Sequence, residues 1–400
     1  MITRLATREE LPEVSRMHCL AWGGDYEAGG KRLQTRYDEI PATRDSVFVA
    51  EDENGKLAAT ISIHPYQMTI DGNVVDMGGI GGVTALPEYR VSGGASSLLK
   101  YGLRCMREKG VSISVLNPFH HNFYRRYGWE LTYDFMEYTF PMDVLKKYRS
   151  KGVSYRELCA DDEAEMNRLH REYCLSLNGM ILRDQHRWKE LFENKGMLKY
   201  GVFDENGVMR GYVMLVELVG GYNGAVDVKE IVAESWHWKR QLLGFVYGFN
   251  STHRTVKFTV PSNDEIILDL DDNRQEIKLN MHMESRIVDV EKFFPQKRFD
   301  PELDVAFTMQ ITDEHAPWND GTFCFIIKDG LCTVEKTEGL PQVRITIQRL
   351  TQMAVGAVSP KRLAAIDGIQ IVGTDEEKKK LSAMLEKVFP EKQSFLLEAF

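Results

Sequence analysis

Among the six cysteines (Cys19, Cys105, Cys159, Cys174, Cys324 and Cys332) the 400-residue sequence has no C-x-x-C pair and no even spacing. That lack excludes a zinc knuckle and a disulfide scaffold, and the thiols read as reduced and mostly buried. No run of about 18 apolar residues occurs, so no membrane-spanning helix is expected and no membrane partner. The first ten residues carry Arg4, Arg8, Glu9 and Glu10 and no apolar block. We therefore expect no secretory leader and a cytoplasmic location. Positive charge is also short: 50 Lys and Arg stand against 59 Asp and Glu, a net charge of −9. A general nucleic-acid binder is disfavoured. Two phosphate-binding signatures are missing as well, because no G-x-G-x-x-G follows the first strand and no Gly-Lys-Ser/Thr closes a P-loop. His120 and His121 are adjacent, so their side chains diverge, and no further ligand spacing accompanies them. No metal is expected.

What is present is an ordinary globular composition, 43% hydrophobic and 27% charged, long enough for two or three domains. Residues 2–6 read as a strand. Thr7 to Glu10 offers a capping box ahead of a helix to about Ala21, with Pro12 confined to its first turn. "SVFVAED" and "LAATISIHPYQMTI" are strands joined by a turn, and "GGIGGVTAL" is another, ending at Pro87. A helix over 94–109 stops at Gly110, "VSISVLNP" is a strand, "NFYRRYGWE" a short helix, and "LTYDFMEYTF" a further strand. The order β-α-β-β-β-α-β-α-β implies a mixed sheet with helices packed on it.

The sequence then repeats itself. "DENG" stands at 52–55 and again at 204–207, and a helical segment at about 161–177 precedes the second, as residues 9–21 precede the first. The element order indicates an internal duplication. The copies differ after the third strand: "VTALPEYRVSGGASSLL" in the first faces "DVKEIVAESWHWKRQLLGFV" in the second, with Trp236 and Trp238 near the place of the lost glycine pair. A glycine pair needed for the fold would have been kept, so its loss assigns it to a ligand. From about 300, four short strands ("DVAFTMQITDE", "GTFCFIIKDG", "LCTVEKTE", "VRITIQRL") and helices at 359–366 and 374–388 form an α+β layer. The tail "SFLLEAF" is too apolar to be left in solvent.

Arg90-Val91-Ser92-Gly93-Gly94-Ala95 fits [QR]-x-x-G-x-[GA] between a strand and a helix. Free backbone N–H groups, the positive end of the helix dipole and small residues suit a pyrophosphate there. With this loop, "GGVTAL", the helix "SSLLKYGLRCMREKG", "VSISVLNP" and "FYRRYGWE", the first 140 residues resemble the GCN5-related N-acetyltransferase (GNAT) superfamily. The whole chain is similar to its enhanced intracellular survival (Eis) branch. The resemblance implies an α+β fold of tandem GNAT domains, each a mixed, mostly antiparallel sheet with flanking helices, followed by a sterol-carrier-protein-like α+β domain. The expected boundaries are 1–150 for the catalytic domain, 151–295 for a degenerate second copy and 296–400 for the last domain.

It further implies acetyl-coenzyme A as cofactor, held by Val83, Thr84 and Ala85 of the strand and by Arg90, Val91, Ser92, Gly93, Gly94, Ala95 and Ser96 of the loop. Tyr124 matches the branch's general acid, while Phe123, Tyr127 and Trp129 read as packing. The carboxylate of Phe400 matches its terminal base, and the backbone N–H of Val83 is placed at the oxyanion. Trp22, Asp25 and Glu398 are candidate substrate contacts, with Glu27 near them in an acidic pocket. No covalent intermediate is required, and Cys105 is assigned to the core. The expected reaction moves an acetyl group to a primary amine of a cationic small molecule, aminoglycoside or polyamine-like, by direct attack in a ternary complex. The alternatives are a protein-lysine acyltransferase and a non-catalytic lipid- or cofactor-binding protein. The branch implies a homo-oligomer, with a hexamer one form.

Overall fold

The computed structural model describes residues 1–149, 152–216, 224–271 and 276–398, except for the side chains at 42 and 43. Two compact units result: Met1–Thr132 with His282–Lys392 and the last described residues from Leu397, and Tyr133–Met281 with Gln393–Leu396.

The first unit begins β1 (Ile2–Leu5), α1 (Leu11–Trp22), α2 (Tyr26–Glu39), α3 (Pro41–Arg44), β2 (Val47–Glu51), β3 (Leu57–Ile70) and β4 (Asn73–Ala85). It continues with α4 (Gly94–Glu108), β5 (Ile113–Leu116), α5 (His121–Arg125) and β6 (Glu130–Leu131). The second unit holds β7 (Asp134–Pro141), β8 (Ser154–Glu157), α6 (Glu163–Leu175), β9 (Ile181–Leu182), α7 (Gln185–Glu193), β10 (Met197–Phe203) and β11 (Met209–Val216). After these come β12 (Ala225–Ala233), α8 (Trp236–Tyr247), β13 (Thr255–Val260), α9 (Ile266–Asp269) and β14 (Glu276–Met281). The chain re-enters the first unit as β15 (Glu284–Ile287) and α10 (Val290–Phe293). It ends with β16 (Val305–Thr312), β17 (Gly321–Lys328), β18 (Leu331–Lys336), β19 (Val343–Thr346), α11 (Ile347–Ala354), α12 (Pro360–Ala364), β20 (Ile369–Ile371) and α13 (Asp375–Val388).

The first unit's main sheet runs β1-β2-β3-β4-β5-β15-β6. Every pairing along it is antiparallel except β4 with β5. The second unit's sheet runs β14-β7-β13-β12-β11-β10-β8 and is parallel only at β12 with β13. The sheet after residue 300 is five-stranded, β18-β17-β16-β19-β20. These are the mixed, mostly antiparallel sheets the sequence implied. The DENG turns are twins: Asp52 Oδ1 accepts from the amides of Asn54 and Lys56, and Asp204 Oδ1 from those of Asn206 and Val208. The chain exchanges strands, however. β7 follows β6 yet joins the second sheet, and β15 follows β14 yet sits between β5 and β6. A strand at 284–287 therefore completes the first sheet from within the segment 151–295.

Local chemistry explains most elements. The Thr7 capping box forms, its amide donating to Glu10 Oε2 at 2.8 Å, but it closes a 3-10 turn and α1 starts at Leu11 with Pro12 in its first turn. Leu98, Leu99, Leu103 and Met106 of α4 are buried against Ile61, Ile63 and Ile80 of the sheet, an amphipathic stripe of helical period. Two elements depart from expectation. Helix α2 carries Gly29 and Gly30, poor helix formers, and gave no sequence signal. A Cβ on Gly30 would lie 3.1 Å from the Pro12 backbone and one on Gly29 2.4 Å from Ser15 Oγ, so the glycines let α2 lie close on α1. "VRITIQRL" is not one strand. It stops at Thr346, whose side chain caps α11, and Ile347, Leu350 and Met353 then follow a helical period into the core.

Candidate active site

The site is built where β4 leaves β5. Their parallel pairing ends at Ile80 opposite Leu116, while β4 continues to Ala85 and β5 gives way to Asn117-Pro118. On its other edge β4 stays paired to β3, but Thr60 faces Thr84 and Ser62 faces Gly81, so Gly82 and Val83 together oppose Ile61. Such a bulge takes a residue out of the ladder and re-aims its backbone groups. Gly82 makes the turn with φ of 60°. A Cβ there would stand 2.7 Å from His18 Nε2, so a side chain is excluded twice over.

The gap between the parted strands is a cavity of about 380 Å³ lined by Trp22, Ile80, Gly81, Gly82, Val83, Asn117, Pro118, Phe119 and Tyr124. Three of the residues singled out in the sequence, Trp22, Val83 and Tyr124, thus meet in one cavity although a hundred residues separate the first from the last. Tyr124 is 2% exposed, and among the described residues its hydroxyl has no hydrogen-bond partner. Its ring meets Phe119 and Phe123 edge-on at 5.3 and 5.0 Å. Burial, and secondarily the carboxylate of Glu284, push its phenol well above the usual range, so it stays protonated at neutral pH. Tyr127 is different: its hydroxyl donates to Ser96 Oγ at 2.5 Å and its ring stacks on His315. That hydroxyl is already committed.

The loop after β4 tests the cofactor. Val91 is 99% exposed and Arg90 and Ser92 are exposed, while Gly93 sits in the left-handed region at φ 83°, ψ 11°. The first helical hydrogen bond is donated by Ser97 to the Gly93 carbonyl at 2.9 Å, and no side chain caps α4. The amides of Gly94, Ala95 and Ser96 are therefore open donors at the positive end of a 15-residue helix. A Cβ on Gly94 would come 2.9 Å from Ala59 Cβ, so glycine seats the helix end against β3. These groups fit a pyrophosphate. Thr84 and Ala85 lie on β4 between cavity and loop, where an extended arm would run.

The remaining candidates lie elsewhere or do other work. Asp25 is the N-cap of α2, its Oδ1 accepting from the amides of Glu27 and Ala28 at 2.9 and 3.1 Å. Glu398 is buried, and Phe400 lies outside the described residues. Sequence reasoning missed His18, whose ring lies 5.5 Å from Trp22, and His64 on β3. Burial, then Arg36 and His18, lower His64 to about 4, so it is neutral at pH 7. It also missed Glu284, whose Oε1 meets His121 Nδ1 at 2.8 Å. His121 was visible as half of a histidine pair, but nothing in the sequence marked a partner 163 residues away.

Comparison with known proteins agrees with this fold. Residues 3–132 match the family model of an acetyltransferase (GNAT) domain, residues 179–287 match another, and residues 290–397 match a sterol carrier protein domain. No curated protein matches the sequence. Among solved structures, a GCN5-related N-acetyltransferase from Anabaena variabilis has 18% identity and a TM-score of 0.86, with 100% of both chains covered. One from Kribbella flavida has 22% identity and a TM-score of 0.85, again over 100% of both. Eis1 from Mycobacterium abscessus has 17% identity and a TM-score of 0.80 over 100% of both. At such identities the likeness is one of fold.

Proposed function

From a chain made of two acetyltransferase (GNAT) domains and a terminal sterol carrier protein domain, we propose an N-acetyltransferase in which the first copy alone carries out the reaction, on a primary amine of a cationic small molecule. The carrying observation is the cavity that holds the re-aimed backbone at Val83 and the unpartnered phenol of Tyr124 together, with the uncapped end of α4 following along the same strand. Acetyl-coenzyme A, the cofactor of this fold, supplies an acetyl group already activated as a thioester.

The chain's own groups divide the work. The amides of Gly94 to Ser96 hold the pyrophosphate, and Arg90, Val91 and Ser92 border it. Val83 N–H donates to the oxygen on which negative charge develops. Tyr124 holds a proton at Oη and releases it to the leaving group. The terminal carboxylate of Phe400 takes the proton that the attacking ammonium must lose. Trp22 offers the amine an aromatic face beside the cavity, and an acidic chain favours cations such as polyamines or aminoglycosides.

The test is thiol release from acetyl-coenzyme A across a panel of polyamines, aminoglycosides and lysine peptides. Turnover confined to small cationic amines supports the proposal. Release with lysine peptides alone moves the activity to proteins, and coenzyme binding without release from any amine refutes catalysis.

A further inference from the structure

The β16–β17 loop, residues 313–320, belongs to the stretch that matches a sterol carrier protein domain, yet it is tied to the first sheet. Asp313 is buried and accepts from Arg286 Nη2 of β15 through both oxygens, at 2.8 and 2.6 Å. Its Oδ1 also accepts from the amides of His315 and Ala316, at 3.2 and 3.1 Å. Asn319 Nδ2 donates to Asp313 Oδ2 and to the Val288 carbonyl, both at 3.1 Å, and its Oδ1 accepts from Val290 N–H at 3.0 Å. Trp318 Nε1 donates to the same carbonyl at 2.7 Å. A buried ion pair contributes little net stability, because desolvation offsets the attraction. Here it fixes where the loop sits.

What the loop presents is His315. Its ring stacks on Tyr127 with 5.0 Å between centroids and 28° between planes, and among the described residues its side chain forms no hydrogen bond. The Tyr127 ring also meets Phe123 at 5.6 Å, so it is held on two sides. Tyr127 Oη donates to Ser96 Oγ at 2.5 Å, and Ser96 is the third residue of α4, where the amides are open. A serine hydroxyl carries one hydrogen and two lone pairs. With Tyr127 on a lone pair, the Ser96 hydrogen is left to donate, and among the described residues it meets no acceptor.

We propose that this loop of the terminal domain is part of the coenzyme site: His315 braces Tyr127, and Tyr127 turns the Ser96 hydroxyl toward the coenzyme pyrophosphate. This rests on the function proposed above, in which the amides of Gly94 to Ser96 hold that group. The hydroxyl adds a fourth donor to those three, and a hydrogen bond to an ionised acceptor is the stronger kind. Accepting from Tyr127 polarises the Ser96 O–H and so strengthens its own donation. His315 and Tyr127 are positioning residues, acting on the coenzyme through Ser96. The second copy lacks the arrangement: α8 opens Trp236, His237, Trp238, with no hydroxyl at its third position.

Binding of coenzyme A to the full chain, followed by titration calorimetry, decides this without any amine in hand. Ser96→Ala should weaken affinity by about 10-fold, and Tyr127→Phe, which keeps the ring and removes the hydroxyl, by about 5-fold. His315→Ala should also cost about 5-fold, while His315→Phe keeps an aromatic face and should bind within about 2-fold of wild type. The deciding readout is the double variant. In Ser96→Ala, the further change Tyr127→Phe should cost nothing, because the group through which it acts is gone. A loss of about 5-fold that persists there shows packing instead and overturns the proposal. So does wild-type affinity in His315→Ala or Tyr127→Phe. Wild-type protein that binds no coenzyme A removes the function proposed above, whereas wild-type binding with the variants unchanged removes this inference alone.

Discussion

The two copies use one frame in opposite ways. In each, a central strand pairs in parallel with its neighbour over four residues and then runs on for five more: β4 after Ile80, β12 after Val228. In each, an antiparallel bulge follows the parting. Two residues past the end of parallel pairing the first copy has Gly82, the second Glu230. Glu230 is 3% exposed and holds Arg183 through both oxygens, and Tyr212 donates to it as well. A glycine leaves the gap open and a buried ion pair fills it. The connection to the next helix differs in the same sense. Eight residues with an αL glycine lead from β4 to α4, whereas Glu234 and Ser235 alone join β12 to α8. The splay is a property of the fold, and catalysis depends on what the sequence places in it.

Breaking the filled copy should give the largest effect. Glu230→Ala removes the buried carboxylate that Arg183 and Tyr212 share, and we expect a loss of about 3–5 kcal/mol in unfolding free energy by denaturant titration, with coenzyme affinity unchanged in the protein that remains folded. Tyr124→Phe should cost turnover of about 10²–10³-fold with an unaltered melting temperature, read by thiol release and calorimetry. An unchanged rate would transfer the role to another group. Extending the chain beyond Phe400 by a short tag should lower turnover by about 10-fold or more while coenzyme still binds, and full activity in the tagged protein would exclude the terminal carboxylate as base. Smaller and sharper is a matched pair at the second residue of each helix. Ala95→Asp puts a carboxylate among the open amides of α4 and should weaken coenzyme A binding by about 10-fold in titration calorimetry. His237→Asp in α8 should leave that affinity alone and stabilise its helix by about 0.5 kcal/mol. Equal effects on coenzyme affinity would show that the copies are not specialised.

Much of this was readable in the chain. The duplication followed from "DENG" and the element order, and the proposal that the loop holds a phosphate from a glycine pair that one copy keeps and the other lacks. Gly93 and Gly94 serve separate needs, a left-handed cap and close seating against Ala59, and both are local enough to leave a sequence signal. Motif position favours Tyr124 over Tyr127 for the proposed role, and the Tyr127 hydroxyl donates to Ser96. Helix α2 was not readable, because its glycines look like loop residues until α1 lies against them. The exchange of β7 and β15 between sheets was equally hidden, since strand pattern says which face is buried but not which sheet supplies the partner.

The sequence by itself determined the duplication, the order of most elements and the turn at Gly93, because turns, caps and glycine conformations are set within a few residues. Tertiary structure alone decided which residues meet in the cavity, and that β15 brings Glu284 beside His121. Those meetings depend on chain segments up to 163 residues apart, whose contact is fixed by packing and strand pairing rather than by any local propensity.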